Sequence, residues 1–385
     1  MKNDIRKMFV AASALGVFAS VPAFGQDADS RQGDSGQGGR ASAVFLMTNS
    51  ADRNEVIAFT RTAEGSLQES GRFASGGRGS GGNTDPLESQ GSLALSQDHQ
   101  LLFAVNAGSG EISVFRVLGA TLELVDRVSS GGSEPNAIAQ HGGLVYVLNA
   151  GGSSGVVGFV LNGNRLTQIP NSTRFLSTNT SGAASISFSP DGRFLAVTER
   201  LTNRVDVFLV QADGTLSPVV ENGSAGPGAF SVQFAPNGTA LVSETGAAGV
   251  VNGSAATSYA VHANGTLSPI SASIPTLGAA NCWSTITPDG HFAYFSNAGS
   301  SSIAGFALGA DGTLTPLPGT VVGSNPSGSI NLDITVSADG KFLFTLNTGS
   351  GTIGIFAIQK DGTLVNAGSA EGFAPHSGFN GIAAN

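Results

Sequence analysis

One segment of about fifty residues recurs along the chain, and this repeat limits the possible folds more than any other feature. Its first signature is a short apolar run that ends in a tight turn, as in Ser189-Pro-Asp-Gly, Thr287-Pro-Asp-Gly and Ser337-Ala-Asp-Gly. Its second signature is an Asp-Gly-Thr-Leu or Asn-Gly-Thr-Leu turn, which begins at Asp213, Asn264, Asp311 and Asp361. A period of this length is typical of a β-propeller blade.

Each repeat is consistent with four strands, which we name A to D. Strand A ends in the Pro-Asp-Gly turn, strand B leads to a corner that contains asparagine, strand C alternates apolar and polar residues, and strand D follows the second turn. Helical periodicity is absent. The sequence therefore predicts an all-β propeller whose blades are four-stranded antiparallel sheets.

The ends of the chain determine the number of blades. Strand A occurs six times, at residues 92–96, 136–140, 185–189, 231–235, 284–288 and 333–337. The first unit begins at Ala43 with strand B, while Asn380-Gly-Ile-Ala-Ala near the C-terminus resembles Asn136-Ala-Ile-Ala-Gln. We expect the C-terminus to supply strand A of blade one, because this closes the ring at seven blades and leaves no free sheet edge.

Composition supports a folded, turn-rich chain. Glycine makes up 55 of 385 residues, hydrophobic residues reach 40% and charged residues only 12%. The net charge of −9, with 18 Lys and Arg residues, argues against a nucleic-acid partner, which would require clustered positive charge. Cys282 is the only cysteine, so no internal disulfide can form. We expect a monomer.

The N-terminus has the features of an export signal. Lys2, Arg6 and Lys7 precede an apolar run over residues 8–19, and small residues follow before Gln26. We interpret residues 1–25 as a signal peptide, residues 26–42 as a disordered linker and residues 43–385 as the propeller, with a periplasmic or secreted location. No other apolar stretch is long enough to predict a membrane span.

The motif pattern resembles the seven-bladed β-propeller lactonase family, which includes bacterial 6-phosphogluconolactonase and fungal carboxymuconate-lactonizing enzyme. The resemblance extends from Ala43 to the C-terminus. It implies a lactone (carboxylic ester) hydrolase that acts on a small lactone or sugar-derived ring at the propeller mouth. Propellers carry many unrelated functions, so the alternative is a non-catalytic exported propeller that binds a saccharide, a peptide or a protein.

Two glutamates are the strongest catalytic candidates. The B–C and D–A connections of a propeller share one face, and the channel mouth on that face is the usual ligand site. At the B–C corner five blades carry an asparagine, namely Asn49, Asn106, Asn149, Asn297 and Asn347. Blades four and five carry Glu199 and Glu244 instead, with Arg200 and Arg204 nearby. We expect the two carboxylates to share one pocket, to interact and to raise the pKa of at least one, with either serving as a general base.

The alternative is that each glutamate caps its corner and has a structural arginine partner. The family resemblance favours the catalytic interpretation, because Glu199 followed by Asn203-Arg204-Val205 matches the family's fourth-blade pattern. It also implies carboxylate, arginine and histidine residues at the mouth.

The D–A connections add further candidates for the mouth. His376 is the only histidine in such a connection, whereas the other four lie in turns of the opposite face, at His99, His141, His262 and His291. No metal site and no cofactor are therefore predicted. Candidate ligand-binding residues are Arg78 in a glycine-rich loop, Asn281, and three aligned residues at the channel entrance, Trp283, Asp333 and Phe379. The indole of Trp283 would stack on a sugar or ring, or would instead pack between blades.

Overall fold

The structure is a computed structural model and describes residues 42–385. The predicted signal peptide and all but the last residue of the predicted linker lie outside this range. The described residues form seven antiparallel sheets around a central channel, and strand A of every blade lines this channel. The predicted all-β seven-bladed propeller is confirmed.

The strands are numbered along the chain, and within each blade they follow one another from the channel outward. Blade one contains β29 (Ile382–Ala384), β1 (Ala43–Met47), β2 (Glu55–Arg61) and β3 (Leu67–Ala74). Blade two contains β4 (Leu93–Leu95), β5 (Leu101–Asn106), β6 (Glu111–Leu118) and β7 (Thr121–Ser129). Blade three contains β8 (Ser133–His141), β9 (Leu144–Gly151), β10 (Gly155–Asn162) and β11 (Arg165–Gln168), and β10 also pairs with β12 (Arg174–Phe175).

The remaining four blades follow the same order. Blade four contains β13 (Ala183–Phe188), β14 (Phe194–Glu199), β15 (Arg204–Leu209) and β16 (Val220–Gly223). Blade five contains β17 (Ala229–Phe234), β18 (Ala240–Glu244), β19 (Ala255–Val261) and β20 (Leu267–Pro275). Blade six contains β21 (Asn281–Ile286), β22 (Phe292–Asn297), β23 (Ser302–Leu308) and β24 (Leu314–Ser324), with a 3-10 turn at Ala298–Ser300. Blade seven contains β25 (Asn331–Val336), β26 (Phe342–Asn347), β27 (Thr352–Ile358) and β28 (Leu364–Glu371).

Blade three departs from the four-strand pattern. Its outer strand is divided into β11 and β12, which both pair with β10. Pro170 lies between the two pieces. Proline lacks an N–H to donate to the neighbouring strand, so it interrupts the ladder at that point.

The two ends of the chain close the ring as predicted. Strand β29 pairs antiparallel with β1, and Phe45 lies opposite Ala383. Asn385 extends this pairing, since the backbone N–H of Ala43 donates to its side-chain oxygen at 2.7 Å. Blade one is therefore built from both ends of the described chain, and β1 is an inner strand of a complete sheet.

The core lies between blades. In β1, Phe45 and Met47 pack in a cluster with blades two and three, whereas Val44 and Leu46 pack in a cluster with blade seven. All four side chains are fully buried. Successive residues of a strand point to opposite faces, so each inner strand contributes to the cores on both of its sides. Among the described residues no helix has the length and apolar character needed to cross a membrane.

Candidate functional site

The channel mouth on the B–C and D–A face is covered by part of the connection between blades one and two. We call residues 85–90 the plug. The Gln90 side chain donates to the Ser284 carbonyl at 2.7 Å and accepts from its N–H at 3.1 Å, which attaches the plug to blade six. The Gln90 N–H donates to Ala184 of blade four, and the Ser89 hydroxyl donates to a carbonyl of blade three at 2.7 Å. The plug thus crosses the mouth and is attached to several blades.

Trp283 lies beneath the plug. Its indole N–H donates to the Ser89 carbonyl at 2.9 Å, and its ring packs edge-on against Phe230 with centroids 5.1 Å apart. The side chain is only 1% exposed. Trp283 therefore packs inside the propeller and supports the plug, which is the second of the two alternatives stated above, and its indole is not open to a substrate ring.

Charged groups gather where the plug meets blade four. Arg200 forms an ion pair with Glu88, and the Asn380 side chain donates to Asp85 at 3.0 Å. Both Asp85 and Glu88 have positive φ angles, +58° and +44°. Non-glycine residues adopt this region at a cost in free energy, and such strain is concentrated at functional sites.

Asp85 is suited to proton transfer. Burial raises the pKa of this carboxyl group to about 7, the hydrogen bond from Asn380 opposes the shift, and the charge of Glu88 adds to it. The positive charge of Arg200 also acts on Asp85 and lowers the pKa. Among the described residues the buried Arg200 Nε atom has no hydrogen-bond partner, so this guanidinium keeps one unused donor.

His376 lies at the same face, as predicted. Its Nδ1 is 2.9 Å from the hydroxyl oxygen of Thr84, the residue before the plug. Its backbone N–H donates to the Thr348 carbonyl at 2.8 Å, which joins the last D–A connection to a B–C corner. The imidazole is exposed, so it is accessible to a ligand at the mouth.

Asp333 lies on the channel side of the plug. It accepts hydrogen bonds from the N–H groups of Ile334 at 2.9 Å and Ile382 at 3.1 Å, and a longer one from Gln90 at 3.4 Å. Burial raises the pKa of its carboxyl group to about 7. It is 4% exposed and lines the channel cavity, so Asp333 faces away from the mouth to which the sequence assigned it.

Glu199 lies in a buried corner between blades three and four. Its carboxylate accepts hydrogen bonds from the N–H of Ser177 at 2.8 Å and from the hydroxyl groups of Ser177 and Thr202. The side chain is fully buried. Burial alone would raise its pKa, but these hydrogen bonds outweigh that effect and lower the pKa. The second carboxyl group of this corner is Asp206, which burial and the negative charge of Glu199 shift to a pKa of about 8.

Glu244 occupies a separate corner with partners of its own. It accepts from the N–H of Gly226 at 2.7 Å and from the hydroxyl groups of Thr257 at 2.6 Å and Ser273 at 2.5 Å. Glu199 and Glu244 share no partner. The predicted pair of interacting carboxylates is therefore wrong, because each side chain is enclosed by the strands and connection of its own blade.

The asparagine corners show the same arrangement. In blade two, Asn106 donates to the Ser113 hydroxyl at 2.8 Å and accepts from the Ser75 hydroxyl at 2.6 Å. Ser75 directly follows the last strand of the previous blade, so this polar side chain ties one blade to the next. The geometry of both glutamates favours the same corner-capping role.

Arg204 and Arg78 lie apart from the plug contacts. Arg204 pairs at 2.6 Å with Glu221 on the outer strand of its own blade. Arg78 is exposed, and its glycine-rich loop is packed tightly: a Cβ atom on Gly79 would lie 2.2 Å from the backbone of Asn49. The loop is therefore fixed against a corner, and the cover of the mouth is the plug that follows it.

Asn281 and Phe379 are both buried. The Asn281 side chain donates to the Ala255 carbonyl at 2.6 Å and joins blade six to blade five. Phe379 stacks on Phe373 with ring centroids 4.2 Å apart and is 6% exposed. Neither side chain presents a surface for a ligand at the mouth.

Sequence reasoning missed Asp85, Glu88 and Asp206. The plug residues follow a glycine-rich segment that gave no strand or motif signal. Asp206 did leave a signal, because it is the acidic residue at a strand C position that elsewhere holds uncharged side chains, among them Ser113, Val157, Thr257, Ala304 and Gly354. An acid at this position needs a partner, and register places it beside Glu199.

A family model described as "Lactonase, 7-bladed beta-propeller" matches residues 153–285 and 276–375, which together make up more than half of the chain. No curated protein sequence matches the chain.

Several solved structures are similar to the propeller. A Bacteroides uniformis protein provisionally titled a 6-phosphogluconolactonase has a TM-score of 0.67 and 20% identity, with 90% of this chain and 100% of that chain covered. The periplasmic gluconolactonase of Pseudomonas aeruginosa has a TM-score of 0.62 and 18% identity, with 89% and 98% covered. Virginiamycin B lyase of Staphylococcus aureus has a TM-score of 0.51 and 14% identity, with 74% and 84% covered. At these identities the likeness is one of fold.

Proposed function

Because the chain belongs to the seven-bladed β-propeller lactonase family, we propose that it hydrolyses a small lactone or sugar-derived ring at the channel mouth. The observation that carries this proposal is the ion pair of Arg200 with Glu88 of the plug, three residues from Asp85, whose buried carboxyl group has its pKa raised to about 7. A carboxyl group whose pKa is near neutrality exchanges protons readily with a bound water, and a guanidinium stabilises negative oxygen.

In this mechanism Asp85 accepts a proton from water while the water oxygen attacks the ring carbonyl carbon. Arg200 donates hydrogen bonds to the carbonyl oxygen as negative charge develops there. The bond to the ring oxygen then breaks, and Asp85 returns the proton to that oxygen, so the product is an open-chain hydroxy acid. His376, exposed beside Thr84, binds hydroxyl groups of the substrate. Glu199 and Glu244, whose oxygens are engaged by donors of their own corners, hold the blades in place.

The test is hydrolysis of glucono-δ-lactone, 6-phosphogluconolactone and γ-butyrolactone by the parent protein and by Arg200→Gln. Arg204→Gln is the matched control, since it breaks an exposed ion pair of the same blade at its outer strand. We expect Arg200→Gln to lower kcat/KM about 100-fold and Arg204→Gln to leave it unchanged. A parent protein that opens no lactone contradicts the proposed function, and equal effects of the two variants contradict the proposed site.

A second candidate function is supported by the covered mouth. The plug covers the mouth, and apolar side chains are exposed at B–C corners of the same face, with Leu201 62% and Val251 86% exposed. Such a surface is typical of a non-catalytic propeller that binds a saccharide, a peptide or a protein. Absence of lactone turnover together with specific retention of one such ligand favours this function.

We also propose that the protein is exported and acts as a monomer in the periplasm or outside the cell. The positively charged and apolar start of the sequence supports export, and one similar structure is a periplasmic gluconolactonase. Fractionation and N-terminal sequencing should yield a mature chain that begins at Gln26. A full-length chain retained in the cytoplasm contradicts export.

A further inference from the structure

A cavity lies in the central channel, on the other side of the plug from the mouth. Its volume is about 290 Å³. Gln90 and Asp333 close it beneath the plug, and it reaches His99 in an A–B turn. A cavity of about 450 Å³ adjoins it at that end, shares several of its lining residues and is bordered by Gln97 and His141. The channel therefore opens on the face opposite the proposed hydrolytic site.

The walls of the channel cavity carry neutral hydrogen-bonding side chains among apolar ones such as Ile138, Val232 and Ile382. These hydrogen-bonding side chains are hydroxyl and amide groups that occupy strand A of blades four to seven, namely Ser185, Ser187, Gln233, Thr285 and Thr335. The one carboxyl group is Asp333, which is 4% exposed. Neither lysine nor arginine lines this cavity or the adjoining one.

Asp333 has a fixed orientation, and no lysine or arginine among residues 42–385 forms an ion pair with it. The Ile334 and Ile382 N–H groups donate to its two oxygens, at 2.9 Å and 3.1 Å. Burial raises the pKa of the carboxyl group to about 7, and the negative charge of Asp85 adds to this shift. A buried carboxylate is unfavourable unless a positive charge or hydrogen bonds compensate for lost hydration. The two hydrogen bonds compensate only in part, because the pKa stays raised to about 7, and a cation in the cavity would complete the compensation.

We propose that the channel is a second binding site, for a small organic ammonium compound that carries hydroxyl groups. The ammonium group lies at Asp333, and the hydroxyl groups contact the serine and threonine side chains of the walls. An ammonium group offers three donors to a carboxylate and to neighbouring hydroxyl and amide oxygens. Within residues 42–385 no group of three metal-ligating side chains is present, and one carboxylate suits an ammonium ion better than a divalent metal, which needs several oxygen ligands. This site is independent of the proposed hydrolysis.

Isothermal titration calorimetry tests the proposal directly. Ethanolamine and glucosamine are the probes, and ethylene glycol and glucose are their uncharged counterparts. Two variants separate charge from space: Asp333→Asn removes the charge, and Thr285→Leu fills the channel and leaves Asp333 in place. Because Asp333→Asn disturbs two backbone hydrogen bonds, its melting temperature is measured first. If Asp333→Asn does not fold, Thr285→Leu alone tests the proposal.

We expect at least one ammonium probe to bind the parent protein and its uncharged counterpart to bind at least about tenfold more weakly. Either variant should weaken the ammonium probe by a similar factor, and Arg204→Gln should have no effect. Binding that is equal for charged and uncharged probes, or unchanged in Thr285→Leu, overturns the proposal. The proposal is also overturned if neither ammonium probe produces heat at concentrations up to about 10 mM.

Discussion

Arg200 of blade four is ion-paired with Glu88 of the plug, so a B–C corner is joined to the segment that covers the channel mouth. This pair lies above buried contacts that Gln90 makes with blades four and six. The plug therefore has an exposed, charged attachment and an inner, hydrogen-bonded one. The two attachments should contribute differently to the stability of the protein and to the access of solvent to the channel beneath the plug.

The inner attachment should determine whether the plug stays closed. Trp283 is the protein's one tryptophan and lies under Ser89, so its fluorescence reports on the plug. Gln90→Ala removes the hydrogen bonds to Ser284 and should increase acrylamide quenching of Trp283. Glu88→Gln should not increase it, since a partly exposed ion pair contributes only about 0–1 kcal/mol. Equal quenching in both variants and the parent would show that Gln90 does not hold the plug.

Truncation tests the closure of the ring. Deletion of residues 379–385 removes β29, leaves β1 with an unpaired edge and uncovers the buried side chains of Val44 and Leu46. We expect insoluble protein or a large fall in Tm, because exposed strand edges promote aggregation. Deletion of Asn385 alone is the control. It should lower the free energy of unfolding by about 1 kcal/mol and therefore lower Tm by only a few degrees. A truncated protein that melts with the parent contradicts the closure.

The corner of Glu199 and Asp206 should make stability depend on pH. The pKa of Asp206 is about 8 in the folded protein and near its usual value of 3.8 when unfolded. The folded state therefore holds this proton more tightly, and the stabilisation is full below about pH 4 and is lost as pH rises through about 8. Asp206→Asn keeps a donor toward Glu199 at every pH.

Urea unfolding of the parent and of Asp206→Asn at several pH values provides the measurement. The free energy of unfolding of Asp206→Asn, minus that of the parent, should increase between about pH 4 and about pH 8. Asp85 and Asp333 also have raised pKa values, but they are present in both proteins and cancel in the difference. A difference that is constant with pH would show that Asp206 does not hold the proton.

Glu199→Gln should destabilise the protein. The amide group of glutamine cannot accept from all of the Ser177 and Thr202 donors, so at least one buried donor loses its partner. A loss of about 2–3 kcal/mol in the free energy of unfolding is expected. Glu221→Gln, at an exposed position of the same blade, is the control and should change stability by less than about 1 kcal/mol. A stable Glu199→Gln variant without activity would restore the catalytic interpretation.

The repeat predicted the fold because each motif acts locally. The Pro-Asp-Gly turn is one example: Asp191 accepts from the Ser189 hydroxyl at 2.6 Å and from the Arg193 N–H at 3.1 Å, within five residues. The mouth could not be predicted in this way. Glu88 and Arg200 are distant in sequence and meet only because the plug crosses the ring, and Trp283 is buried by the same crossing.

The glutamates show a second limit of the sequence. Glu199 and Glu244 do lie at equivalent corners of adjacent blades, as predicted. Because each blade repeats the same strands and connections, each glutamate also has its own local partners. In blade five the hydroxyl of Thr257 serves Glu244, and in blade four Asp206 occupies the same position beside Glu199. Adjacent repeats therefore place similar side chains in similar enclosures, and they do not bring them into one pocket.

The pH dependence of kcat/KM for lactone hydrolysis by the parent and by Asp85→Asn tests the central claim most directly. Asparagine keeps one acceptor oxygen for the donors of Asn380 and the Glu88 backbone, and the Tm of the variant is measured beside that of the parent. Since the pKa of Asp85 is about 7, kcat/KM of the parent should rise with pH through about 7 as the base ionises. Asp85→Asn should lose this rise and fall at least about 100-fold at pH 8. A variant that retains the parent's kcat/KM and its pH profile would contradict the assignment of hydrolysis to the mouth.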